Sequence, residues 1–312
     1  MSLCYPLTID RDVADAQDND HTVRLRLACY CGSLEIVQEL LNRGASASSE
    51  NYQGENSLHL LSRGEYNSQD DGVCIARELL VRGANVNAQN KHHRTPLHLA
   101  SYFGRPAITR VLLDHGAKPN AEDSRNEAPL HLLSQGKYSS QDDGVTVARL
   151  LLERRAVVNA QDIDLRTPLH HASFNGNVAI AQVLLERGGT PHAGDCNGET
   201  PLHLALRGKD DSEEHGIGIT RLLLERGADV DAEDDDGETP LGLSLRLRKP
   251  KIASIFLEHS AKVDTRNVAK TEARSRMADF SSEVAAKRIR LSPPNHFVEV
   301  RGENSRNDIM EL

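Results

Sequence analysis

Thr95-Pro96-Leu97-His98-Leu99-Ala100 decides how this chain is read, because near copies of it return at fixed intervals. Its opening tetrapeptide recurs as Thr167-Pro168-Leu169-His170 and Thr200-Pro201-Leu202-His203, with degenerate forms starting at Val23, Asn56, Ala128 and Thr239. Successive starts are separated by 33, 39, 33, 39, 33 and 39 residues, so the duplicated unit is a 72-residue pair of one short and one long repeat. A period in this range marks a solenoid, in which each unit buries its apolar face only against its neighbours.

Around each start the same chemistry repeats. Five residues before it stands an acid or amide: Asp18, Asn51, Asn90, Asp123, Asp162, Asp195 and Asp234. Short polar side chains there bond their own backbone and suit a tight hairpin turn. The starting threonine is placed to cap a helix, and proline at the first helical position gives up no needed N–H. A leucine follows two residues on in all seven units (Leu25, Leu58, Leu97, Leu130, Leu169, Leu202, Leu241). A second helix then carries an apolar stripe such as Ile108, Val111 and Leu112, and its last turn holds Leu41, Leu80, Leu113, Leu152, Leu185, Leu224 or Leu257. Glycine ends it at Gly44, Gly83, Gly116, Gly188 and Gly227, as a left-handed C-terminal cap requires. Arg155 and Ser260 stand where that glycine belongs, which predicts strained or differently shaped helix ends.

T-P-L-H-L-A, then E-I-V-x-x-L-L-x-x-G-A, then D-V-N-A resembles the ankyrin repeat over roughly residues 13–266. The alternation with Q-D-D-G-V-x-x-A-R-x-L-L units further resembles tandem arrays of filamentous, mushroom-lineage fungi. The resemblance implies an all-α repeat solenoid of helix pairs with short β-hairpin fingers, and a concave face that grips other proteins. The expected units are a degenerate N-terminal finger or cap at 1–17; repeats at 18–50, 51–89 (long), 90–122, 123–161 (long), 162–194, 195–233 (long) and 234–266; and a partly disordered tail at 267–312, with a capping helix through Met277, Phe280 and Val284 as an option. Val13 to Thr22 reads as a hairpin finger without its full preceding helix pair.

Composition narrows the function. The net charge is −9, aromatic content is 4% and tryptophan is absent. A nucleic-acid binder needs a basic footprint, so that class is excluded. No run approaches 18 apolar residues and no start like a secretory signal exists, so neither membrane nor secretion is indicated. Five cysteines without C-x-x-C pairing fit a reducing interior, cytoplasmic with nuclear entry as an option. Five of the fourteen histidines (His59, His98, His131, His170, His203) are the fourth residue of the motif, which reads as hydrogen bonding between hairpins and helices. His92 with His93, and His170 with His171, have no zinc-like partner spacing. Catalytic, phosphate and dinucleotide motifs are missing too. No active site, metal or cofactor is expected, and the chain reads as a monomer.

Each long repeat carries six extra residues between its helices, in the stretches Ser62–Gly72, Ser134–Gly144 and Leu206–Gly216. Asp70, Asp71, Asp142 and Asp143 read as complements to the second helix's dipole, since the calcium-loop ligand pattern is missing. The inserts recur every 72 residues and are read as one edge, with recognition or bland connection equally open. Tyr30, Tyr102 and Phe174 share one repeat position, Phe103 adjoins it, and Tyr66 and Tyr138 share a position in the inserts. These six form the expected partner-binding set, against the alternative that they fill junctions. Glu55, Arg94, Glu127, Arg166 and Glu199 alternate in charge just before the motif and read as solvated register support. Residues 267–312 hold eight basic and seven acidic residues, with Lys287, Arg288 and Arg290 beside a Ser292-Pro293 step. A solvated tail is the simplest reading of them. The function expected is a non-enzymatic scaffold that binds partner proteins. A nuclear or signalling regulator working through the tail, or a piece of a larger protein with its effector domain upstream, are the alternatives.

Overall fold

A computed structural model describes residues 20–64, 69–136, 138, 140–208 and 213–259, all within the compact unit Met1–Lys262. Among them stand fourteen helices and no strand. They form seven helix pairs. In the short repeats the pairs are Asp20–Cys31 with Leu34–Asn42, Pro96–Tyr102 with Pro106–Asp114, Pro168–Phe174 with Val178–Glu186, and Pro240–Arg246 with Pro250–Glu258. The long repeats pair Ser57–Arg63 with Gln69–Val81, Pro129–Gln135 with Gln141–Glu153, and Pro201–Arg207 with Glu213–Glu225. First helices pack on first helices and second on second, giving two helical layers around one core.

The leucine two residues into the motif is fully buried from Leu25 to Leu202 and half-buried at Leu241, where the array runs out of neighbours. In the second helices the deepest layer is one residue earlier than the leucines chosen from sequence. Leu79, Leu112, Leu151, Leu184, Leu223 and Phe256 are wholly buried, whereas Leu257 is 58% exposed. One residue is a rotation of about 100° on a helix, so the later leucine turns towards the rim of the core, although Leu40 with Leu41 and Leu112 with Leu113 are still buried as pairs.

The fingers are hairpin turns rather than assigned strands. Asn51 Oδ1 accepts from the N–H groups of Gln53 and Glu55, and Asn90, Asp123, Asp162, Asp195 and Asp234 do the same in their own repeats. Consecutive fingers are joined by single backbone bonds, such as Lys91 N–H to Gln53 O at 2.8 Å and Ser124 N–H to His92 O at 3.0 Å.

The motif histidine ties each repeat to the next. At His98, Nδ1 accepts from the N–H of Thr95 (3.0 Å), which leaves Nε2 to donate to the carbonyl of Glu127 (3.0 Å). His131, His170 and His203 repeat the pattern, and His59 reaches Arg94 O at 2.9 Å. Burial pushes His59, His98, His131 and His170 down to about 4, so these rings are neutral cross-links. The threonine hydroxyls at Thr95, Thr167 and Thr200 sit 2.9–3.0 Å from this ring nitrogen. Direct capping of the helix is made by Asn56, through His59 N–H, and by Thr239, through Gly242 N–H.

Three sequence expectations change. The first helix begins at Asp20, so residues 20–22 are helical where a finger was expected; residues 13–19 lie outside the described set. Arg24 stands where repeats 3 to 7 have proline, and unlike proline it leaves the preceding residue free to be helical; repeat 2 also lacks the proline, at Ser57, but Asn56 caps its helix there. The inserts are not simple loops. Second helices have 13 residues in long repeats against 9 in short ones, so much of each insert adds a helical turn. Ser140 caps that turn by accepting Asp143 N–H at 3.2 Å, and Asp142 and Asp143 fall in the dipole-favoured first turn. The alternating charges are not solvated: Glu55, Glu127 and Glu199 are 3–5% exposed. Glu55 pairs with Arg63, Glu127 with Arg94 and Gln135, and Glu199 with Arg207.

Arg155 does adopt the left-handed cap, with φ of 65° against 85° at Gly116. Its N–H reaches Leu152 O and that of Ala156 reaches Leu151 O, the bonds the glycine repeats make at this point. Ser260 and the tail lie outside the described residues.

Candidate functional site

The fingers and first helices of repeats 2 and 3, with Leu132 from the first helix of repeat 4, enclose a groove of about 470 Å³. Its floor is Leu99, Leu132, Tyr102 and Phe103, and its walls are the turns Asn51–Glu55 and Asn90–Arg94. Tyr102 ends its helix and Phe103 is the C-cap residue, so the rings emerge together and meet edge to face at 5.0 Å and 84°. Charged groups border the apolar floor. Arg94 bonds Asp123 at 2.9 Å, and Arg63 bonds Glu55 at 3.3 Å. Burial alone raises Asp123, but Arg94 and the N–H groups of Arg125 and Glu127 outweigh it and hold the carboxyl below its ordinary range. The site is a short apolar floor between polar walls, with fixed charges at its edge. Nothing in it is arranged as a nucleophile and base.

The six aromatics chosen from sequence divide. Tyr102 and Phe103 line the groove. Tyr30 is half-buried within its helix, and Phe174, 37% exposed, ends the first helix of repeat 5. Tyr66 lies outside the described residues. Tyr138 does different work: its hydroxyl accepts from Asn177 Nδ2 at 3.0 Å, and burial pushes that hydroxyl's pKa up. A Cβ added at Gly104, Gly136 or Gly144 would come within 2.6–3.0 Å of its ring. Tyr138 is therefore a wedge between repeats.

That wedge belongs to a clamp the sequence did not announce. The N-cap residues of the second helices in repeats 3, 5 and 7 each reach back to the preceding insert. Arg105 bonds Gly64 O at 2.6 Å, Asn177 bonds Tyr138 Oη, and Lys249 bonds Leu206 O at 2.7 Å. On the other side, glycine opens each insert because it lies against a carbonyl of the repeat before. A Cβ at Gly64 would stand 2.3 Å from Tyr30 O, at Gly136 2.4 Å from Tyr102 O, and at Gly208 3.1 Å from Phe174 O. The signal available was the glycine recurring every 72 residues.

Sequence spacing offered His171 no partners, yet the fold supplies two carboxylates. Glu127, Asp162 and His171 bring ligand-type atoms within 4.8 Å of one another. Those atoms are already engaged: His171 Nε2 with Asp162 at 2.7 Å, and Glu127 with Gln135 at 2.6 Å and Arg94 at 3.3 Å. Burial alone would raise Asp162, but His171 and the N–H of Arg166 hold it low. These hydrogen bonds tie the junction of repeats 4 and 5. Cys29 is buried within the first helix, and that burial pushes its thiol up to about 12 against the pull of its hydrogen bond with Ser57.

Family models for ankyrin repeats match residues 24–52, 79–133, 138–215 and 190–267. The chain is an ankyrin-repeat protein. Ankyrin arrays are in general modules for protein–protein interaction. Solved structures agree on the fold. The ankyrin repeat domain of human ASB11 is 26% identical, with a TM-score of 0.64 over 76% of this chain and 98% of that one. The ankyrin repeat domain of Bcl-3, described as a unique member of the IkappaB protein family, is 27% identical, with a TM-score of 0.56 over 74% and 96%. No curated protein matches the sequence. Among the described residues no helix of this ankyrin array is long and apolar enough to cross a membrane.

Proposed function

We propose that this ankyrin array is a non-enzymatic scaffold that holds an extended segment of a partner protein in the groove of repeats 2 and 3. The observation that carries the reading is the pairing of Tyr102 and Phe103 over Leu99 and Leu132, bordered by the charged fingers. Half-buried rings in a walled apolar strip are what a partner's side chains seat against, and such anchors dominate interface energy. Tyr30 and Phe174 extend the same helix position to repeats 1 and 5 and would lengthen the contact into a ledge.

The test uses the full chain as bait, with partners identified by mass spectrometry and affinity then measured for the strongest. Tyr102→Ala with Phe103→Ala should weaken it about tenfold or more, near 1.4 kcal/mol. Adding Tyr30→Ala and Phe174→Ala should weaken it further. Unchanged affinity in a folded double variant removes the groove from the function.

A further inference from the structure

The finger of repeat 5 breaks the pattern of its neighbours. Its turn, Asp162-Ile163-Asp164-Leu165-Arg166, places leucine where repeats 2, 6 and 7 have Gly54, Gly198 and Gly237. The backbone does not change to suit it. Leu165 holds φ of 59°, beside 74°, 71° and 70° at those glycines. His93 and Asn126 fill the same position in repeats 3 and 4 at 57°, and polar residues of that kind enter the left-handed region more readily than leucine. For leucine the Cβ crowds the following carbonyl oxygen, so the turn is strained. No burial compensates, since Leu165 is 46% exposed and Ile163 is 60% exposed. Backbone strain that repays nothing within the fold is found where a side chain is used.

The neighbouring fingers say what would use it. The fingers of repeats 4 to 7 are linked in line by backbone bonds: Ile163 N–H to Arg125 O at 3.0 Å, Cys196 N–H to Asp164 O at 2.9 Å, and Asp235 N–H to Asn197 O at 2.9 Å. On repeat 5 the charges are matched by the neighbouring fingers, Asp164 with Arg125 of repeat 4 at 3.1 Å and Arg166 with Asp195 of repeat 6 at 3.0 Å. Repeat 7 is different. Asp235 and Asp236, with Glu233 just before them, are exposed and make no ion pair within contact distance among the described residues; Arg246 bonds Glu238 at 2.6 Å and feels Asp236 only from further off. The surface thus runs from an apolar tip to an exposed acidic one.

We propose that the finger tips of repeats 5 to 7 form a second docking surface, separate from the groove, for a basic segment of a partner protein that carries one large apolar side chain. The apolar side chain covers Ile163 and Leu165, and lysines or arginines following it lie over Asp235 and Asp236. This surface stands or falls independently of the groove reading.

The probe is a short fluorescent peptide with a leucine at one end followed by lysines, titrated against the full chain. A version with glutamates for lysines, and one with serine for the leucine, are the controls. Leu165→Gly relieves the strain, so its melting temperature should equal or exceed that of the parent while the peptide binds about fivefold or more weakly. Leu165→Asn, which tolerates the same φ, should lose binding equally. Asp235→Asn with Asp236→Asn should weaken binding and flatten its salt dependence. The proposal is overturned if the peptide fails to bind at millimolar concentration, if the Leu165 variants bind like the parent, or if the glutamate peptide binds as well. Binding that follows Tyr102→Ala instead would overturn it while leaving the groove standing.

Discussion

Acidification should unfold this array through its buried histidines. His59, His98, His131 and His170 have pKa values pushed down by burial to about 4, whereas an exposed histidine in the unfolded chain titrates near 6.5. Between those values the unfolded chain binds protons that the folded array refuses, so stability falls as pH is lowered from about 6.5 towards 4. At pH 5 each ring costs about 2 kcal/mol, a figure that changes little if its folded value is one unit higher. Four rings together withdraw about 8 kcal/mol, comparable with the whole stability of many domains. Carboxylates do not blur the window, because Asp123 and Asp162 are held low and titrate beneath it. Glu199, raised by burial against the pull of Arg207, works weakly in the opposite direction. The assay is urea unfolding followed by circular dichroism from pH 7.5 to 5. Its slope near pH 5.5 should correspond to about 3.5 protons taken up on unfolding, and His98→Gln should lower that count by about one. A slope below about one proton would refute the neutral cross-link assigned to these rings.

Three further outcomes are expected. Arg155→Gly should stabilise the array by about 0.5–1 kcal/mol, because it removes a side chain from the left-handed cap at φ of 65°; an unchanged or lower melting temperature counts against that cap. Gly136→Ala should cost about 1–3 kcal/mol, since its Cβ would meet Tyr102 O and the Tyr138 ring, and should cost more than Gly218→Ala, where the Cβ meets only the end of the Val178 side chain at 3.0 Å. Equal losses in urea would show that the insert yields at that point. Ser140→Ala should destabilise by about 1 kcal/mol through the lost N-cap, read as earlier thermal fraying of repeat 4.

What could be read from sequence was local. Gly44, Gly83, Gly116, Gly188 and Gly227 mark helix ends because the cap acts within a few residues, and Leu97 or Leu169 recurs because one stacking geometry repeats. Contacts between repeats were harder. Arg105, Asn177 and Lys249 do one job with three unrelated side chains, so only their 72-residue spacing hints at it. The burial of Glu127 depends on what Gln135 and Arg94 offer across space, and charge alternation alone suggested the opposite. The groove was half legible: Tyr102 and Phe103 were in view, but Leu99 and Leu132 looked like any other motif leucine. Leu165 was legible in principle, by aligning the repeats and noticing leucine in a column of glycine, histidine and asparagine.

The clamp around each insert makes the array a strictly alternating copolymer. A long repeat meets a carbonyl at Tyr30, Tyr102 or Phe174 on one side and a donor at Arg105, Asn177 or Lys249 on the other, and short repeats supply both. Two long repeats set side by side would press insert on insert, and the glycine and its facing donor would each lose a counterpart. Growth or shrinkage by a single repeat thus creates a junction of a new kind, while a step of one full pair leaves every junction as it was. Length here is quantised by parity: a duplicate of residues 90–161 spliced in register gives a longer array with no seam.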